Sequence, residues 1–166
     1  MTTEFNGFGS FARHLERISL EGDAVTHALT EKGAKIIQRD AQAKLGHYQD
    51  TAGPFNAWSE LADSTKADRV HKGFPENEPL KRTGQLEESI EAVVRGHEAM
   101  VGSMDPIALW QEKGTEHIPP RPFLGAAAFE SKQKVAIVSA NTLIAWVSGM
   151  RWRKPQRRIA SEPSEE

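Results

Sequence analysis

The sequence predicts an α+β fold: two long helices packed on a small antiparallel β-sheet, with extended loops and terminal arms. Three observations lead there. Two stretches, one after Asp23 and one after Pro122, repeat apolar or small residues every three to four positions, the period of a helix with one buried face. Between them, Ile90, Ala92 and Val94 alternate with Glu91, Val93 and Arg95, and a period of two suits a strand with one buried side. The connecting segments are rich in Gly, Pro, Asp and Asn, which favour turns and loops.

Taken in order, residues 1–9 read as an arm carrying Phe5 and Phe8. Ser10 can cap a short helix through Phe11, Leu15 and Ile18 that ends near Gly22. Asp23 can cap the first long helix, whose stripe is Val25, Leu29, Ile36, Ala41, Leu45 and Tyr48. Gly33 lies on that stripe, so a close contact is expected there. The helix should stop between Gly46 and Tyr48. Residues 50–84 form a polar loop in which Trp58 and Leu61 begin a short helix running to about Val70. Thr83-Gly84 is a turn. The strand from Ile90 turns at Gly96-His97, and Ala99–Gly102 returns beside it. Asp105 caps a helix with Pro106 in its first turn, where the missing N–H is not needed. The last helix spans about 122–148, and Leu124, Ala128, Ser131, Val135, Val138, Thr142 and Ala145 line one face of it. Ile36, Leu45, Val94 and Val135 are the expected core. The domain plan is an arm with a short helix over 1–22, one α+β domain over 23–150, and a basic-then-acidic tail over 151–166.

Composition narrows the function. The chain has 166 residues, 38% apolar and 27% charged, with net charge −2, so as a whole it is not a polycation built to coat nucleic acid. It contains no cysteine, which excludes disulfides, thiolate metal sites and a thiol nucleophile. No secretory signal is read at the N-terminus, and no apolar stretch approaches the ~20 residues of a membrane helix. The six histidines form no metal-spacing pair. Phosphate-binding, dinucleotide-binding and nucleophile-elbow motifs are all absent. The sequence therefore predicts no catalytic residue, no cofactor and no metal, and the chain is read as not an enzyme. Glu112, Glu116 and His117 stand close together, but carboxylates beside a Gly-Thr turn are expected to be solvated or ion-paired.

The most distinctive stretch runs from Trp110 to Leu124. Gly114-Thr115 should end a helix. Pro119, Pro120 and Pro122 then fix their own φ and hold their predecessors extended. Arg121 and Phe123 are thus presented by a stiff support, and Arg121 is expected to grip a carboxylate with its planar fork. Trp110, Glu112, Gly114, Thr115, Pro120, Arg121, Pro122 and Phe123, in that order and spacing, resemble the signature of small tailed-phage neck proteins. The group is the HK97 gp10-like tail-completion family with the related phage virion morphogenesis proteins. Upstream, Leu80 to Ile90, with Thr83, Gly84, Leu86 and Ile90, is similar to the family's Leu-x-x-Thr-Gly-x-Leu-x-x-Ser-Ile stretch. Trp58-Ser59-Glu60-Leu61 is similar to the tryptophan segment of the morphogenesis branch. The resemblance covers roughly residues 24–135.

The resemblance implies a structural protein of a tailed phage or prophage virion, assembled in the host cytoplasm. It would form a homo-oligomeric ring, a hexamer by expectation, around the DNA channel at the head–tail junction. Its role would be tail completion, tail termination or head closure. Its partners would be itself, the adjacent connector or head-closure protein, the tail-tube or tail-terminator protein, and channel DNA. The motif residues would lie beside the subunit contact. A separate feature is the cluster Arg151, Arg153, Lys154, Arg157 and Arg158 around Trp152, where phosphate or ring contact is plausible. It supports an alternative reading: a small nucleic-acid-binding module acting through that tail.

Overall fold

The computed structural model describes residues 4–149. The tail cluster Arg151, Arg153, Lys154, Arg157 and Arg158 lies outside the described residues. The fold is α+β. Helix α1 spans Phe8–Lys44, α2 Asp63–His71 and α3 Gln85–Glu88. Strands β1, Ile90–Arg95, and β2, Glu98–Ser103, form a two-stranded antiparallel sheet. Helix α4 spans Pro106–Lys113 and α5 Leu124–Val147.

The long helices α1 and α5 pack antiparallel, and polar pairs fix their register. At one end the Arg17 guanidinium donates to the Trp146 carbonyl at 2.9 Å. In the middle, a Cβ at Gly33 would sit 3.4 Å from the Val135 side chain, the close approach expected at that glycine. Further along, Ser131 Oγ and Lys134 Nζ each donate to Asp40 Oδ2 at 2.7 Å. At the far end Lys44, buried, meets Glu130 at 2.6 Å. The predicted α5 stripe is the face that packs: Ser131 and Thr142 are buried, and Leu124, Ala128, Val135, Val138 and Ala145 are half-buried.

The hairpin β1–β2 pairs Ile90 with Ser103 through to Arg95 with Glu98. It lies across α1, where His27 Nδ1 contacts the Gly96 carbonyl at 3.0 Å and Gln38 Nε2 donates to the Ile90 carbonyl at 2.8 Å. Along β1 burial falls off toward the turn, with Ile90 fully buried and Val94 only half-buried. The core itself gathers Ala41, Leu45, Trp58, Leu86, Ile90, Ala108, Phe123 and Ala127.

Four expectations are corrected. There is no break at Gly22-Asp23: α1 runs unbroken for 37 residues, about 56 Å, because Trp146 of α5 covers Gly22 and helical pairing continues past it. Phe8 belongs to that helix and not to an arm. Trp58 does not start a helix; it sits in an extended strap, and α2 begins only at Asp63. Of the four expected core residues only Leu45 is buried, whereas Ile36, Val94 and Val135 are half-buried, since the core gathers at one end of the helix pair.

Candidate functional site

The three stretches singled out in the sequence converge on that end of the molecule. Helix α4 is capped as expected: Asp105 accepts from the Ile107 N–H at 2.9 Å, with Pro106 in the first turn. It ends at Gly114, whose φ of 75° is rarely open to other residues; a Cβ there would also lie 2.9 Å from the Ile118 oxygen. Thr115 then closes the loop. Its N–H donates to the Ile118 carbonyl at 2.9 Å, and its Oγ1 accepts from the Ile118 N–H at 3.1 Å. Pro119 and Pro120 are exposed, and the chain returns past α4 so that the Arg121 N–H reaches the Gln111 carbonyl at 2.7 Å.

Glu112 is half-buried and makes no ion pair among the described residues. Its carboxylate reaches back to the start of α5, where Oε2 accepts from the N–H groups of Phe123 at 2.8 Å and Leu124 at 2.9 Å. Its Oε1 accepts from Gly125 at 2.8 Å. A helix start leaves its first N–H groups without partners, and Phe123, the residue at the cap position, has no acceptor of its own. Glu112 supplies the missing acceptors from another helix and places a negative charge at the positive end of the helix dipole. Gly125 leaves the room this needs, because a Cβ there would come 2.7 Å from the Phe55 ring and 3.1 Å from Glu112.

Arg121 is 5% exposed. Its fork closes on the Ser59 and Glu60 carbonyls at 3.0–3.2 Å, not on the expected carboxylate. Trp58, buried next to it, donates from Nε1 to the Pro122 carbonyl at 3.2 Å. The tryptophan segment and the proline run are thus stitched to each other, and Phe123, fully buried, packs between them and Leu86 and Ile90. Thr83 and Gly84 make the turn before α3, Gly84 at φ 89°. Of the residues singled out, Glu112, Arg121, Pro122, Phe123, Leu86 and Ile90 therefore hold the interior together. Trp110 faces outward at 49% exposure.

Beside this junction lies a cleft of about 680 Å³, between α2 with the Leu80–Gln85 loop on one side and α4 with the proline run on the other. Arg69, Arg82, Arg121, Gln111 and His117 line it. Arg69 is 5% exposed and donates to the Pro75 and Lys81 carbonyls. Burial lowers its pKa from the usual arginine value, as does the nearby charge of Arg82. Burial lowers that of Arg121 too. Leu80, in the wall, has φ 60°, a strained value for a branched residue. Nothing in the sequence marked Arg69 or Gln111, because a charged or amide residue on a short helix ordinarily faces water.

Among the described residues no group of three or more His, Asp or Glu could hold a metal ion, and no helix is long and apolar enough to cross a membrane. Comparison with protein families, with curated proteins and with solved structures finds no match to this chain.

Proposed function

We propose that this chain is a structural subunit that self-associates into a ring at the head–tail junction of a tailed phage or prophage virion. It would surround the DNA channel between the connector or head-closure protein and the tail-tube or tail-terminator protein. Tail completion, tail termination and head closure all fall within this reading, and a hexamer is the expected count. The motif resemblance motivates it, and one observation supports self-association. Met104, Ile107, Leu109 and Trp110, in a single short stretch, are 97%, 45%, 55% and 49% exposed. Helix α4 buries only Ala108. Large apolar side chains grouped on a surface favour a protein partner. These are held by a rigid base, since the Gly114–Pro122 return is hydrogen-bonded to α4 and Glu112 ties α4 to α5. A ring requires such a patch to meet a different surface of the next subunit. Phe8, Phe11, Leu15 and Leu20, exposed on the first half of α1, offer one.

The test is a double substitution, Leu109→Glu with Trp110→Glu. Both side chains are half-exposed, so helical circular dichroism should stay at the parent level while the particle mass by light scattering falls toward that of the single chain. Unchanged assembly and unchanged virion completion would remove α4 from the interface.

A further inference from the structure

Helix α1 projects past its partner. Helix α5 ends at Val147, and Gly149, at φ 74°, turns the chain out of the helix beside α1. A Cβ at Gly149 would lie 3.5 Å from the Arg17 guanidinium and 3.8 Å from the His14 ring. The first turns of α1 therefore extend beyond the end of α5. Yet their apolar stripe does not stop there. Phe8, Phe11 and Leu15 recur at helical spacing, and the same stripe continues through Gly22, covered by Trp146, to the buried Val25. Where α5 runs alongside, the stripe is covered. Past the end of α5, Phe8, Phe11 and Leu15 are 84%, 40% and 48% exposed. Phe5 folds back over part of this surface, its ring edge-on to Phe11 at 5.4 Å and tilted on His14 at 4.9 Å. An aromatic cluster thus stands open at the point where the chain leaves α5.

We propose that the chain's own C-terminal tail, residues 150–166, docks on this cluster, with Trp152 anchored on Phe8, Phe11 and Leu15. The reach fits. An extended chain covers about 3.3 Å per residue, so Trp152 lies within ~10 Å of Gly149. On α1, His14 and Phe8 are about 9 Å apart along the axis, at 1.5 Å per residue. The direction fits too, because α5 is antiparallel to α1 and a chain leaving its end already heads toward Phe8. Trp152 is the one aromatic residue of the tail, and Met150 stands two positions before it, on the same side of an extended run. Aromatic pairs contribute more than their buried area alone. Glu4 and Glu16, exposed on this stretch, make no ion pair among the described residues and offer carboxylates to Arg151 and Arg153, with Arg13 opposing one of them. A tether this short holds Trp152 at the cluster at an effective concentration of about millimolar, which favours the same chain over a second copy. The inference stands apart from the ring reading, although the two meet on one surface. In a ring the next subunit's α4 would take the stripe, and the tail would cover it in the free chain.

The experiment reads nuclear Overhauser contacts of the Trp152 ring in the full-length parent and in the full-length Leu109→Glu/Trp110→Glu variant, where α4 cannot compete for the stripe. Docking predicts contacts from the Trp152 ring to the Phe8 and Phe11 rings and to the Leu15 methyl groups in that variant. Phe11→Ser, made in the same background, should lower the docking equilibrium constant about tenfold, roughly the contribution of one aromatic pair. Leu20→Ser, about 140° round the helix from Leu15, should leave it unchanged. Helical circular dichroism at the parent level shows that each variant has kept its fold. Mixing isotope-labelled with unlabelled chains separates contacts within one copy from contacts between two. Contacts found within one copy, and weakened by Phe11→Ser alone, would support the proposal. Contacts found only between copies would give the cluster to a second copy's tail and overturn it. A Trp152 ring that touches none of residues 5–15 in the variant, or contacts that Phe11→Ser leaves intact, would overturn it as well.

Discussion

Glu112 shows how much a single side chain can contribute when its partners are far away in sequence. Three N–H groups at the head of α5 converge on its carboxylate. Glu112→Ala leaves them without acceptors in a half-buried place, and should lower stability by about 2–3 kcal/mol in urea titration. Glu112→Gln keeps one acceptor oxygen and should lose roughly half of that. A parent-like midpoint for Glu112→Ala would mean that water caps the helix equally well. Phe123 and Ile36 make a second comparison. Phe123 is fully buried at the centre of the core, so Phe123→Ala should cost about 3–5 kcal/mol; Ile36 is half-buried, so Ile36→Ala should cost nearer 1 kcal/mol. Equal losses for the two would place the core elsewhere along the helix pair. The Pro-x-Pro-Phe spacing marked Phe123 as fixed and apolar. The role of Glu112 left no trace in the sequence, because local patterns reveal only caps within a turn or so, and this one spans more than ten residues. Arg121 was legible as held but not by what, since backbone carbonyls carry no sequence signature.

Among the elements, the α1–α5 pair was the most legible, because a repeat near 3.6 residues persists over both helices and tertiary packing follows that stripe. Its continuity through Gly22 was not legible: a Gly-Asp pair resembles a helix boundary until Trp146 is seen packed against it. The strap around Trp58 was misread for the opposite reason. Trp58 and Leu61 have helical spacing, but Trp58 Nε1 and the Ser59 and Glu60 carbonyls are engaged by residues 121–122, and those bonds hold the segment extended. Asp40 gives the pair its pH dependence. Burial raises its pKa, but hydrogen bonds from Lys134 and Ser131, with the charges of Lys134 and Arg39, outweigh burial and hold it below the ordinary aspartate value. A carboxyl whose folded pKa is depressed contributes stability above its unfolded value, near 4, and loses that contribution as pH falls through the folded value. Asp40→Asn should therefore destabilise the protein at neutral pH. The difference from the parent should shrink below about pH 4 and vanish in stronger acid. A difference that stays constant from pH 7 to pH 2, by thermal melts, would mean that the carboxylate charge contributes nothing to the helix pairing.

At the scale of the whole molecule, the hydrophobic cluster gathers at one end, and the α1–α5 seam beyond it buries Val25, Ala28, Ala34 and Thr142. The motif stretches around residues 58, 86–90 and 121–123 are separated by up to 60 or so positions, yet their buried side chains form one cluster with Leu45 and Ala127. Their order along the chain was readable, but their meeting was not, since it depends on long-range packing. The apolar residues left outside are spread over α4, the first half of α1 and the outer face of α5, where Ile137, Leu143, Ile144 and Val147 are 54%, 41%, 62% and 52% exposed. A two-stranded sheet is also marginal by itself and leaves both of its outer edges open. These surfaces are what a subunit of a closed assembly would bury against its neighbours. The most direct test is the mass and symmetry of the purified full-length chain, by light scattering and particle imaging. Self-association into a ring predicts a mass that is a whole multiple of 18.4 kDa and end-on views with rotational symmetry and a central opening. A single species of 18.4 kDa at every concentration, with no ring when the adjacent neck proteins are added, would contradict it.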